Sequence, residues 1–208
     1  MMEQRLRDCF IKLCARCNTG VDATKLWDDI REKYSNPRRH YHNLAHLSAM
    51  LDQLESCHDL IHDWDCVLFA LFYHDYVYKT SKNDNEEQSA QEAVKKLFLL
   101  QLSPSRVAFV KELILATKSH QQNKNDDVNL FTDADLSILG SDRSTYELYT
   151  RQVRKEYNIY PDLLYKPGRK KVLKHFLEMP TIFKTDFFRS RLEESARENI
   201  GWEIATLA

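Results

Sequence analysis

The stretch that most constrains this chain is residues 66–78, CVLFALFYHDYVY, which is apolar on nearly every side of a helix until it meets His74 and Asp75 side by side. A helix apolar all round belongs in a core rather than on a surface. An ionisable pair at the end of such a helix costs several kcal/mol unless it finds a counter-charge or hydrogen-bond partners. Two readings follow. Either His74 is a core histidine bonded to its neighbour or to a carbonyl, or the pair closes on a metal ion.

Three other places bear on that choice. Residues 39–46, RHYHNLAH, open a helix whose Leu44, Leu47, Leu51 and Leu54 recur at helical spacing, with His46 beside that stripe and one turn from His42. Further on, Leu113, Ala116 and Thr117 lead along one helix face to His120. Beyond a polar stretch, Asp133 and Asp135 stand at an expected helix start. Carboxylates at a helix N-terminus are favoured by its dipole without any metal, so both capping and ligation stay open for these two. The resulting order is His46, then His74-Asp75, then a distant aspartate, with His120 between.

The rest of the composition favours a helical chain. Four glycines and five prolines in 208 residues, with many Leu, Lys, Glu and Arg, argue for an all-α fold, and 43% apolar residues supply the core of one sizeable domain over 1–208. A formal charge of −1 gives no global field to gather nucleic acid, so a small soluble partner fits better. No stretch approaches the roughly 20 apolar residues that span a bilayer. The opening MMEQRLRDCF carries charges where a signal peptide needs its apolar region, so a cytosolic protein is expected. Five cysteines without framework spacing agree with reduced thiols. Cys14 and Cys17 form only half of a zinc-ribbon pattern and read as ordinary thiols.

The blocks YHNLAHLSAML, LFYHDYVY followed by DNEEQSA, TDADLSILG with a later RKEY, and a terminal EESARENI resemble, in this order, the HD superfamily of metal-dependent phosphohydrolases. The resemblance covers residues from about 38 to 205 and implies a metal-binding core over about 38–140. It implies His46, His74, Asp75 and Asp135 as metal ligands. Asp135 is selected because the family's last ligand sits in an Ala-Asp context, which leaves Asp133 as a cap or a supporting group. It also places the 83–86 segment at the border of the metal pocket, so Lys79 and Glu86 would meet substrate phosphate or relay a proton. The competing reading makes Asp84 and Glu87 a capping box that opens the next helix.

Elsewhere the pattern predicts a first helix over 2–17, stopped by Asn18-Thr19-Gly20, and a second with Leu26, Ile30 and Tyr34 closed by Asn36-Pro37. His42 and His46 are expected on helix three, and His74 with Asp75 on helix four. Ser103-Pro104 starts a helix ending at His120, and residues 121–132 read as a polar loop. Ser144 with Glu147 reads as a second capping box. Residues 160–168 read as a loop, Arg169-Lys170-Lys171 as a solvated basic face, and residues 186–207 as the last helix. The exposed pair His58 and His62, lacking an apolar flank, reads as surface.

Two imidazoles and two carboxylates suit a first-row divalent ion such as Mn, Fe, Co, Ni or Zn, with positions left open for water and a phosphate oxygen. The expected reaction is hydrolysis of a phosphomonoester or phosphoanhydride, by default of a nucleotide or another small phosphorylated metabolite, with His120 and Lys79 stabilising developing charge. One alternative is a non-catalytic nucleotide-binding module. Another is a di-iron oxygenase of the same superfamily, which needs further histidines between Asp75 and Asp135, where only His120 occurs.

Overall fold

The all-helical expectation holds. The computed structural model describes residues 1–17 and 20–207, and among them ten α-helices and two short 3-10 turns form the fold, with no strand. The helices are α1 (Met2–Ala15), α2 (Ala23–Tyr34), α3 (Leu44–Ser56), α4 (Trp64–Tyr73), α5 (Asn85–Leu99), α6 (Pro104–Ala116), α7 (Asp126–Leu136), α8 (Arg143–Glu156), α9 (Asp162–Glu178) and α10 (Asp186–Thr206). Among the described residues no helix is long and apolar enough to cross a membrane. The Asn18-Thr19 part of the expected first stop lies outside the described residues.

The apolar stretch organises the packing. Every residue of α4 from Cys66 to Tyr73 is buried, and α1, α3, α5 and α6 pack around it. Phe72 meets Phe10 of α1 edge-on at 5.0 Å, and Trp27 of α2 closes the same cluster. The helix starts where Asp63 accepts the amide of Cys66, and it stops at Tyr73, earlier than expected. His74 is the cap residue, still in helical conformation, and Asp75 follows it. A free helix end leaves its last carbonyls available, which is where a polar pair can be accommodated.

Several expected boundaries move, each for a local reason. Helix α3 begins at Leu44, because the Asn43 side chain accepts the amide of Ala45, and His42 therefore lies before the helix. Helix α6 ends at Ala116, and His120 sits beyond it at φ 51°, a left-handed conformation that breaks the expected helical face. Helix α7 occupies what reads as loop from residue 126 onward, capped by Asn125, and carries Asp133 and Asp135 in its last turns rather than at a helix start. The apolar Val128, Leu130, Phe131, Ala134 and Leu136 are all buried there, so α7 is a core helix whose polar residues also face inward.

Neither capping box forms. Asp84 makes no side-chain cap bond, and Asn85 instead bonds both the amide and the carbonyl of Lys79. At the second site Asp142, not Ser144, accepts the amide of Thr145 and caps α8. Residues 162–168 join α9, with Pro167 inside it, because Pro161 starts the helix and only one amide is forfeited. Gly140 permits α10 to approach: a Cβ there would fall 2.6 Å from Leu192 Cβ. Arg169 is not a solvated residue, since its guanidinium forks onto buried Glu203 at 2.7 and 3.0 Å and ties α9 to α10.

Candidate metal centre

The start of α3, the end of α4 and the end of α7 converge in the core, and each delivers one polar side chain or pair. His46 lies in the first turn of α3, His74 and Asp75 at the end of α4, and Asp135 in the last turn of α7. Their donor atoms meet. His46 Nε2 stands 3.1 Å from His74 Nε2, 4.0 Å from Asp75 Oδ2 and 3.4 Å from Asp135 Oδ1. His74 Nε2 stands 3.3 Å from Asp75 Oδ2 and 3.8 Å from Asp135 Oδ1. Ligands about 2.1 Å from one ion are separated by about 3.0 Å at right angles and about 4.2 Å when opposite, so the spacings among His46, His74 and Asp75 match one shared cation, with Asp135 in reach of both imidazoles. His46, His74 and Asp75 together form a cluster that could hold a metal ion.

The tautomers agree with that role. His74 Nδ1 donates to the carbonyl of Leu71 at 2.9 Å, which leaves Nε2 of the neutral ring as a lone pair facing the cluster. Burial opposes charge on His74, but the Asp75 and Asp135 carboxylates outweigh it and raise the imidazole to about 9. A cation competing for that nitrogen must therefore displace a proton. Burial likewise opposes ionisation of the two carboxylates, yet His74 and His42 hold Asp75 below its usual range, and His120 and His46 hold Asp135 well below it. The imidazoles are only 4% and 1% exposed and the carboxylates 16%, so the cluster is closed on its histidine side and open on its carboxylate side.

His120 reaches this open side. Its Nε2 donates to Asp135 Oδ2 at 2.9 Å, while its ring packs against Phe176 of α9. Glu86, at the start of α5, is half-buried, and burial together with the Asp75 charge pushes its carboxyl up. Lys79 is placed differently: it is exposed and lines a cleft to which none of the four ligand candidates contributes. Asp133, two residues before Asp135, turns the other way. Both its oxygens accept the Lys184 amide, at 2.9 and 3.0 Å, and Oδ2 also accepts the Thr185 amide and hydroxyl. It anchors the turn that starts α10 and caps no helix of its own.

Sequence reasoning missed the layer behind the candidate ligands. Glu156, at the end of α8, accepts the amides of Tyr41 and His42 on one oxygen and His42 Nδ1 and the Tyr78 hydroxyl on the other. His42 stacks on Tyr78 at 4.2 Å. Tyr41 packs against His46 at 5.0 Å and against Tyr149 at 4.6 Å, and the Tyr149 hydroxyl receives a hydrogen bond from buried Arg169. Arg39 donates to the carbonyls of His42, Asp75 and Tyr76. The signal for Glu156 was the RKEY block, which marks a position but says nothing of a partner 114 residues away.

Comparison with protein-family models, with curated proteins and with solved structures gave no match to this chain.

Proposed function

We propose that the protein is a metal-dependent phosphohydrolase acting on a small phosphorylated metabolite, with a nucleotide as the default substrate class. The observation that carries this reading is the convergence of two imidazole nitrogens, 3.1 Å apart, each with a carboxylate oxygen of Asp75 and of Asp135 within 3.3–4.0 Å, from segments far apart in sequence, at the end of an apolar core helix. A divalent transition ion held there supplies Lewis acidity toward a phosphoryl oxygen and acidifies water near neutral pH.

The chain's own groups do the rest. Leu71 fixes His74 in the tautomer that presents Nε2. His120 holds the second oxygen of Asp135 and so orients the first toward His46. Glu86, with its carboxyl pushed up, is suited to carry a proton beside Asp75. His42, clamped by Glu156, stands edge-on to the His46 ring at 5.8 Å and carries charge toward Asp75. The aromatic wall of Tyr41 and Tyr149 limits water at the imidazole side.

The test is metal analysis of protein purified without chelator, followed by a panel of nucleotides and phosphate esters read for released phosphate or pyrophosphate. About one transition ion per chain and metal-dependent release are expected, with both abolished in His74→Ala. Folded protein that carries and takes up no metal would overturn the reading. Two ions per chain, with His120→Ala losing one, would move it to the two-metal alternative.

A further inference from the structure

A cleft of about 940 Å³ lies between the end of α2 with residues 36–40, residues 76–81, and the end of α8. Cations reach it from all three walls: Lys33 and Arg38 from the first, Lys79 from the second, Lys155 from the third. In a chain of 30 Lys and Arg against 31 Asp and Glu, cations are commonly paired, as Arg5, Arg16, Arg106, Lys118, Arg154, Arg169 and Arg197 are. Among the described residues, the four cleft cations have no carboxylate within ion-pair distance. Two carboxylates line the cleft: Glu32, which forms no ion pair with the four cations, and Glu156, which spends both oxygens on Tyr41, His42 and Tyr78.

We propose that this cleft is a binding site for a small oligophosphate, such as the phosphate chain of a nucleoside di- or triphosphate. Charges that converge from three elements without carboxylate partners repel one another, Lys33 being placed only over the Tyr76 ring at 5.8 Å, and an anion entering between them relieves that repulsion. With cations on three walls, a chain of two or three phosphates offers each wall its own anionic group, which a single phosphate does not. The near-neutral net charge and the bounded shape favour a short anion over a long nucleic acid. The cleft shares a wall with the layer behind the candidate metal ligands, since Tyr78 and Glu156 line the cleft and also hold His42. The proposal rests on the cleft charges and stands whether or not the cluster is hydrolytic.

Inorganic triphosphate titrated calorimetrically into full-length protein tests it, in buffer with a chelator so that no metal contributes. One triphosphate per chain is expected, binding more tightly than orthophosphate and weakening with salt. The triple variant Arg38→Gln, Lys79→Gln, Lys155→Gln changes only exposed side chains, so it should stay folded and lose affinity about tenfold or more. His74→Ala should bind triphosphate as the unaltered chain does, and the chelator-treated parent serves if that variant does not fold. Unchanged affinity in the triple variant, binding that disappears with the metal or with His74, or tighter binding of a single-stranded oligonucleotide than of triphosphate would each overturn the assignment.

Discussion

His120 Nε2 donates to Asp135 Oδ2 at 2.9 Å, while the other oxygen of that carboxylate faces His46 at 3.4 Å. The imidazole thus holds the far side of a proposed ligand and would act through it. Groups placed this way cost about 10–100-fold in metal affinity or activity when removed. His120→Ala is expected to fold with little change in melting temperature, keep its metal at saturating concentration, and lose about 10–100-fold in turnover or metal affinity. Metal content, melting temperature and single-turnover rate on that variant check it. A fall in stability with turnover intact would make the histidine merely structural.

Asp133 and Asp135 separate in function although two residues apart. Asp135→Asn should remove metal from folded protein. Asp133→Asn should instead destabilise, because an amide NH2 placed against the Lys184 and Thr185 amides leaves a buried donor unmet, at about 1–3 kcal/mol. Its folded fraction should still bind metal. Urea midpoints and metal stoichiometry on the two variants decide it, and equal metal loss would refute the separation.

That pair also shows what the sequence conveys and what it withholds. The uninterrupted apolar run of α4 and the His-Asp pair at its end were legible, because an all-apolar helix has only one place to go. Helix α7 was not. Its DDVNLFTDADL mixes buried Asn129, Thr132 and Asp133 with the apolar residues, which erases the two-faced periodicity that marks a helix. The polar face is satisfied by tertiary partners such as the Lys184 and Thr185 amides, about fifty residues on, and no local pattern encodes them. The same holds for Arg169, whose place in a basic run suggested solvent until Glu203 supplied a buried partner.

Asp63 offers a pH test away from the cluster. Burial raises its carboxyl, but the two Arg106 bonds and the Cys66 amide outweigh burial and hold it below its usual range. A depressed carboxylate contributes stability that is full above the unfolded value of about 3.9 and is lost as pH falls through the folded value. The gap in urea midpoint between the unaltered chain and Asp63→Asn should therefore be constant from about pH 7 to 5 and narrow below about pH 4. A gap independent of pH down to about 3 would show that the charge contributes nothing.

Arg39 is the residue whose replacement should tell most about how the cluster is held. Its guanidinium donates to the carbonyl of His42 at 3.2 Å, of Asp75 at 2.7 Å and of Tyr76 at 3.0 Å, so one side chain joins the segment before α3 to the segment after α4. It lies 4.8 Å from the Tyr34 ring and 5.5 Å from that of Tyr78, and the Tyr34 hydroxyl in turn accepts the Asp75 amide. Such a planar fork, stacked on rings and aimed at several carbonyls, cannot be reproduced by a lysine ammonium. Arg39→Lys should therefore behave as a loss, lowering stability by about 1–3 kcal/mol through unmet carbonyls. Because Asp75 would lose its fixed backbone, metal affinity in a chelator competition should fall about tenfold. If affinity is unchanged while stability drops, Arg39 braces the fold alone, and the positions of His74 and Asp75 are set by α4 itself.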